Sequence, residues 1–518
     1  MNTNVALKTP FITRGGVVAS EHYLASKIGV DIMEKGGNAA DAATATSLAL
    51  AVTAPQMGGL GGDFFTLYHE ERAKKNYCLI SSGFAPKALT IEKVKGSGYV
   101  NSMPARGPLS VSVPGYVYGV FEFHRRFGSM DFSKVVEPSI ELSKTGFPAS
   151  RQFCDSIDRY IDILKSDRGC VETFLGGGVR IREGDLLKYP QVAKTLSLIK
   201  EGGPKAFYEG EIGAAIAEYV RSRGGVLDED DLKRFKPEWV DPIKISYRGY
   251  EVYEVPPPSM GATTLILLNL MEQHDISRYK RLSADFVDAF VKLAKTAYRV
   301  RDENLSDPRF VEIDLERLLS KQHSRKLLNR LSPDSPNLNA EGDTTYFAAA
   351  DREGNVVSAI QSLFLSFGSG LTVPDYGIPL NSRASYFRFD GVNKLEPGKR
   401  TLHTLSALIL SNSRETLALG SSAGDYRPQI YTQLVANYVD FKLNLQEAVE
   451  SPRFVWDHPR QLTAEEGVEV MRLRGTYDIK TISFPSNLGV AQGVKIREGV
   501  KWACCDIRGD GLPIGQLN

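Results

Sequence analysis

The reading turns on Gly342-Asp343-Thr344-Thr345-Tyr346-Phe347-Ala348-Ala349-Ala350, a turn at Arg352-Glu353-Gly354-Asn355, and Val356-Val357-Ser358-Ala359-Ile360-Gln361-Ser362-Leu363-Phe364. Thr344 to Ala350 and Val356 to Phe364 read as two strands joined by a Gly-containing turn. Just upstream, Leu331 to Gly342 is polar and broken by Ser332-Pro333-Asp334-Ser335-Pro336-Asn337, the composition of an exposed loop. Thr344 therefore stands where a polar loop runs directly into a strand. A threonine hydroxyl is weakly nucleophilic unless a base lies beside it, and a threonine at a chain N-terminus carries that base as its own α-amine. Such chemistry requires a cut between Asp343 and Thr344. By residue type alone, Thr344-Thr345 is also explained as an ordinary strand start.

Outward from this stretch the pattern alternates helix and strand. Glu21 to Lys35 has helical apolar spacing, Gly36-Gly37-Asn38 stops it, and a second helix starts at Ala39. Ala39-Ala40-Asp41-Ala42-Ala43-Thr44-Ala45-Thr46 is small on every side, which predicts a helix buried against a sheet or another helix. Met57-Gly58-Gly59-Leu60-Gly61-Gly62-Asp63 precedes the strand Phe64 to His69, so this Gly-rich loop is not a dinucleotide fingerprint, which needs a strand before it and a helix after it. Residues from about 129 to 237 read as a helical lobe. Ile243 to Val255 reads as a strand ended by Pro256-Pro257-Pro258, followed by helices Ala262 to Glu272 and Asp285 to Arg301. Further strands are expected at Thr404 to Leu410 and Thr416 to Leu419, with a helix from about Pro428 to Phe441.

Composition narrows the function. The chain has 518 residues, and 63 Lys+Arg balance 62 Asp+Glu with no run of four basic residues, which argues against a nucleic-acid partner. Its most apolar stretches, Ser47 to Pro55 and Ala262 to Leu270, fall well short of the ~18 residues a membrane span needs. Met1 to Arg14 lacks the apolar segment of a secretion signal. Five scattered cysteines, Cys504 and Cys505 adjacent, suit a reducing compartment, so a cytoplasmic location is expected. The seven histidines form no His-Glu-x-x-His pattern and the cysteines no Cys-x-x-Cys, so neither a metal nor another cofactor is expected.

A second nucleophile candidate is Gly420-Ser421-Ser422-Ala423-Gly424, a G-x-S-x-G match between a strand and a helix. In a serine hydrolase Ser422 would attack, with His458 as base and Asp440 or Asp457 as acid. The alternative is a plain Gly-rich strand-to-helix turn.

The ordered set Gly36-Gly37-Asn38-Ala39-Ala40-Asp41-Ala42, Gly58-Gly59-Leu60-Gly61-Gly62, Val113-Pro114-Gly115, Asp343-Thr344-Thr345, Phe367-Gly368-Ser369-Gly370, Pro397-Gly398-Lys399-Arg400 and Gly420-Ser421-Ser422-Ala423-Gly424 resembles the γ-glutamyltranspeptidase family of N-terminal nucleophile hydrolases. The resemblance implies an α/β (α+β) fold, a four-layer αββα sandwich with the helical lobe added. It implies a precursor cut between Asp343 and Thr344 into a large subunit, 1–343, and a small subunit, 344–518, sharing one catalytic domain, with an oligomer of heterodimers as a further assembly open to it. By proportion from 57.1 kDa the pieces are roughly 38 and 19 kDa. Thr344 becomes the nucleophile, Ser362 the hydroxyl beside it, and the backbone amides of Ala423 and Gly424 the oxyanion hole.

Departures from the family pattern bear on substrate. The segment that in the family carries an arginine for the α-carboxylate of a γ-glutamyl group is here Ser82-Gly83-Phe84-Ala85-Pro86. Family positions that engage the rest of that group fall on Phe364, Arg383, Tyr386, His403 and Thr404. These resemble a branch that includes oxamate amidohydrolase and related acylases. The expected partner is a small amide bearing a carboxylate, with Arg383 as its fork and His403 and Thr404 as polar contacts; a structural ion pair for Arg383 and a satisfied buried imidazole for His403 are the alternatives. The implied function is a γ-glutamyltransferase-like amidohydrolase that hydrolyses, or transfers, an acyl group through an acyl-threonine. Alternatives are a true γ-glutamyltransferase with an altered pocket, or a non-catalytic homologue.

Overall fold

The computed structural model describes residues 7–176, 180–331, 338, 342–457 and 459–517. The first six residues, residues 332–337 of the polar loop and His458 lie outside the described residues.

Two seven-stranded sheets, with every neighbouring pair antiparallel, form the centre of the described chain. One has at its middle Val17–Ser20, Asp343–Ala350, Val356–Phe364, Asp63–Glu70 and Lys75–Ser81. The other has Val500–Cys505, Val490–Arg497, Glu415–Ser422, Leu408–Ser411 and Tyr250–Glu254. Side chains alternate between faces along a strand, and both faces are dry here. Tyr346, Ala348 and Ala350 pack between the sheets with Ile360, Ile409, Ala418 and Val494. Phe347, Ala349, Val357 and Ala359 point the other way, into a core with helices Ala39–Thr53 and Tyr116–Phe127. On the far side of the second sheet, Leu408, Leu410, Leu417 and Leu419 pack with helices Gly261–His274, Ala284–Asn304 and Arg427–Val439. The result is the four-layer αββα sandwich, and burial on both faces explains why the strand Asp343–Ala350 carries no polar face.

Every residue of helix Ala39–Thr53 is buried, which its small side chains permit by letting neighbouring elements approach closely. Asn38 caps it reciprocally with Asp41, and the Ala39 amide donates to Asp351 at 2.9 Å, so two carboxylates meet the positive helix end.

The helical lobe is not a separate body. Its helices Arg151–Lys165 and Arg168–Phe174 pack Phe153 and Phe174 onto Phe367 of the C-terminal part, at 6.5 and 5.5 Å between ring centroids, and share one core with the sheet-covering helices.

Two expected strands differ. Ile243 to Val255 is a hairpin, Ile243–Tyr247 and Tyr250–Glu254, because Arg248 and Gly249 both take positive φ and reverse the chain. The strand expected from Thr404 begins only at Leu408. Residues 403–405 are held instead by the proline loop: His403 N donates to Pro258 O at 2.7 Å, and Ser259 Oγ to Leu405 O at 2.6 Å. The first helix is Tyr23–Glu34, which leaves Glu21 outside it and fully buried.

Candidate active site

Thr344 sits at the beginning of the strand Asp343–Ala350, where the ladder to Val356–Phe364 is irregular: Asp343 faces Phe364 while Thr345 faces Gln361. The extra residue on the second strand is a bulge, and Phe364 takes φ +81 there, a conformation that costs a bulky side chain energy. What this positions is Ser362. Its hydroxyl donates to the Asp343 carbonyl oxygen at 2.7 Å and accepts from the Phe364 amide at 2.7 Å. Thr344 Oγ1 lies 2.7 Å from the same carbonyl oxygen and 3.2 Å from Ser362 Oγ. The peptide before Thr344 thus has two hydroxyls at its carbonyl oxygen, both placed to polarise it.

The Gly420–Gly424 segment reaches the same linkage from the other sheet. A Cβ on Gly342 would lie 2.4 Å from the Gly424 Cα, and Gly424 has φ +50, so only two glycines let these segments cross. Ala423 and Gly424 therefore stand beside the residues that precede Thr344. Ser422 is the last paired residue of its strand, and its hydroxyl accepts from the Val490 amide at 3.0 Å. Asp440 is held by Tyr247 at 2.6 Å and Asp457 by Tyr426 at 3.0 Å, so neither acid is presented to Ser422.

The residues expected to contact substrate form a buried cluster. Arg383, with no exposed surface, pairs through Nε with Asp63 at 3.4 Å, donates from Nη1 to Thr404 Oγ1 at 3.0 Å, and lies over the Phe364 ring at 4.4 Å. The Leu405 amide donates to His403 Nδ1 at 3.1 Å, so Nε2 carries the proton and donates to Asp63 at 2.9 Å. Burial, then the Arg383 charge, holds His403 well below the usual imidazole range and keeps it neutral. Burial pushes Asp63 up to about 7 against the pull of Arg383, and lowers Arg383 to about 10. Tyr386 packs edge-on to Phe364 and donates to Asp425, which Arg301 also holds at 3.1 Å. Asp63 faces the charge of Arg383, and His403 and Thr404 contact the same buried pair, while Nε and Nη2 of Arg383 make no hydrogen bond among the described residues.

What opens to solvent beside the Asp343–Thr344 peptide is a different space. A cavity of about 720 Å³ is lined by Asp343, Ser366, Ser422 and Ala423 on one side and by Arg151, Arg159 and Tyr160 on the other. The Asp343 carboxylate accepts from Ser366 Oγ at 2.5 Å and from the Thr344 amide at 3.0 Å. Burial raises its pKa, opposed by those hydrogen bonds and by the charges of Arg159 and Arg106. Sequence reasoning missed Asp63, Ser366, Arg106 and Arg159. Asp63 follows a Gly-rich loop and had a local signal; the arginines sit more than 180 residues before Thr344 and had none. Among the described residues no His/Cys/Asp/Glu cluster is arranged to hold a metal, and no helix is long and apolar enough to cross a membrane.

Comparison with known proteins places this geometry. The gamma-glutamyltranspeptidase family pattern matches residues 25–515. The chain is 35% identical to the glutathione hydrolase-like YwrD proenzyme of Bacillus subtilis, over 96% of this chain and 98% of that one. It is 31% identical to the acylase ACY 1 proenzyme of Pseudomonas sp. strain SE83, over 98% and 94%. The crystal structure of cephalosporin acylase from Bacillus halodurans superposes with a TM-score of 0.90 at 30% identity, covering 99% of this chain and 98% of that one. These relatives include proenzymes and acylases, and the shared architecture is that of N-terminal nucleophile hydrolases. The chain is an enzyme of the gamma-glutamyltranspeptidase family.

Proposed function

We propose that the chain is a proenzyme that cuts itself between Asp343 and Thr344 and then works as an amidohydrolase with Thr344 as nucleophile. The observation that carries this is the approach of Thr344 Oγ1 and Ser362 Oγ, each 2.7 Å from the Asp343 carbonyl oxygen. In the first reaction Thr344 Oγ bonds to the Asp343 carbonyl carbon, the Asp343–Thr344 C–N bond breaks, and the resulting ester is hydrolysed by water. Breaking the C–N bond, with the Oγ proton passing to the nitrogen, frees the Thr344 α-amine, and hydrolysis of the ester frees Oγ. In the second reaction the amine takes the Oγ proton as Oγ attacks a substrate amide, and passes it to the leaving amine. The developing oxyanion is held by the Ala423 and Gly424 amides, each such donor contributing about 3 kcal/mol to the transition state. Water then releases the acyl group; an amine acceptor in place of water would make the same intermediate a transferase. A γ-glutamyl group is a poor fit, because Phe364, Arg383 and His403 fill the positions that would recognise it.

The test is a denaturing gel of the purified protein with N-terminal sequencing of any smaller band. The expected small band begins Thr-Thr-Tyr-Phe and is absent in Thr344→Ala. An uncut wild-type chain that nevertheless hydrolyses amides would overturn the reading and favour Ser422.

A further inference from the structure

In the precursor the acyl group next to the nucleophile is the protein's own: the carbonyl of Asp343, with the Asp343 side chain attached. The site therefore displays one bound acyl chain, and what surrounds it is informative. The Asp343 carboxylate is separated from its carbonyl carbon by two carbons, and it reaches Ser366 Oγ at 2.5 Å. It lies on the wall of the open cavity that also bears Arg159 and Tyr160 from helix Arg151–Lys165. Arg106 is fastened at the same corner, donating to Ser366 O at 2.6 Å and Gly368 O at 2.7 Å with its guanidinium over the Tyr160 ring at 5.1 Å. Both arginines act on the Asp343 charge. Arg159 makes no ion pair of 4 Å or less among the described residues, unlike its neighbour Arg151, which has Asp155 at 3.7 Å. When the chain is cut, Asp343 becomes a free chain end, and its departure leaves this anion-binding corner beside the N-terminal Thr344.

We propose that the corner formed by Ser366, Arg159 and Arg106 binds a carboxylate on the acyl group of the substrate, and that the preferred substrates are monoamides of a four-carbon dicarboxylic acid, succinyl or aspartyl amides whose carboxylate stands two carbons from the scissile carbonyl. This rests on the threonine amidohydrolase reading and gives that site its acyl specificity. Carboxylate recognition is placed on the lobe helix because Arg159 is exposed there, whereas Arg383 has no exposed surface and its charge faces Asp63. In the balanced step Thr344 Oγ bonds to the acyl carbon, the amide C–N bond breaks, the Oγ proton leaves on the amine, and water cleaves the ester to the dicarboxylate.

The experiment uses the self-processed protein, its small chain verified on a gel, with three p-nitroanilides: succinyl, glutaryl and butyryl. The succinyl anilide is expected to exceed the butyryl one in kcat/KM by about tenfold or more, the range of a charge-assisted contact, with the glutaryl compound between them. In Arg159→Ala the succinyl-to-butyryl ratio falls towards one, and competitive inhibition by succinate weakens in parallel. Arg159 is exposed, so the variant is expected to fold, which a thermal melt checks. A ratio unchanged by Arg159→Ala, or one abolished only by Arg383→Met, overturns the assignment while leaving Thr344 as nucleophile. A processed enzyme that hydrolyses none of the three anilides overturns this specificity; an uncut, inactive wild type overturns the underlying reading as well.

Discussion

Two arginine-containing regions flank Thr344, and they behave in opposite ways. Behind Thr344, Arg383 is fully buried and spends its charge on Asp63, Thr404 and the Phe364 ring. In front of it, Arg159 is exposed on a cavity wall beside the Asp343 carboxylate. Both are arginines near one reacting atom, yet one belongs to the fold and the other is open to a ligand. The difference is desolvation. A buried cation requires a partner built into the chain, whereas a solvated one can exchange water for a substrate.

The largest effect tests the atom both regions surround. Thr344→Ala is expected to leave the precursor uncut and to lower amide turnover by at least about 10³-fold, while Thr344→Ser retains a hydroxyl and still yields the small chain on a time-course gel. Next is the buried side. Asp63→Asn leaves the Arg383 guanidinium buried without a carboxylate, and denaturant unfolding should show a loss of about 3–5 kcal/mol. Adding Arg383→Met should recover much of that loss, a recovery that an exposed pair would not show.

Ser362→Ala removes the donor at 2.7 Å from the scissile carbonyl and should slow precursor cutting by about 10²-fold, measured as the rate at which the small band appears.

The smallest effect concerns the contact between the two prospective subunits. Asp307 of the large part accepts from the Arg400 backbone amide at 2.8 Å and pairs with the Arg400 side chain at 3.2 Å, and Arg309 adds a second guanidinium. Burial alone would raise the Asp307 carboxyl, but these partners outweigh it and hold it at about 2. Because the folded value lies below the unfolded one, the stabilisation is full above about pH 4 and is lost as pH falls towards 2. Thermal melts of the processed protein should show this acid limb, flattened in Asp307→Asn.

Much of this was legible in the sequence, and the limits have physical causes. Helix Ala39–Thr53 was predicted buried because no solvent-facing helix is small on all sides. Thr344, Ser362 and the Ala423-Gly424 pair were singled out through the resemblance to the family; local pattern alone gave a strand start at Thr344 and a Gly-rich strand-to-helix turn at Gly420–Gly424. The hairpin at Arg248-Gly249 was missed because arginine at positive φ carries no turn signal. For Arg383 the sequence left a substrate fork and a structural ion pair both open, because the partner Asp63 lies more than 300 residues away, on another strand.

By itself the sequence determined most element types and the residue chemistry available at the Asp343–Thr344 junction, because these depend on propensity, periodicity and short-range spacing, and its ordered motifs carried the resemblance to the family. Only the tertiary structure decided which charges are neutralised and which are offered. Burial and pairing depend on elements brought together from distant parts of the chain, and the energy of a charge depends on how much water those elements leave around it.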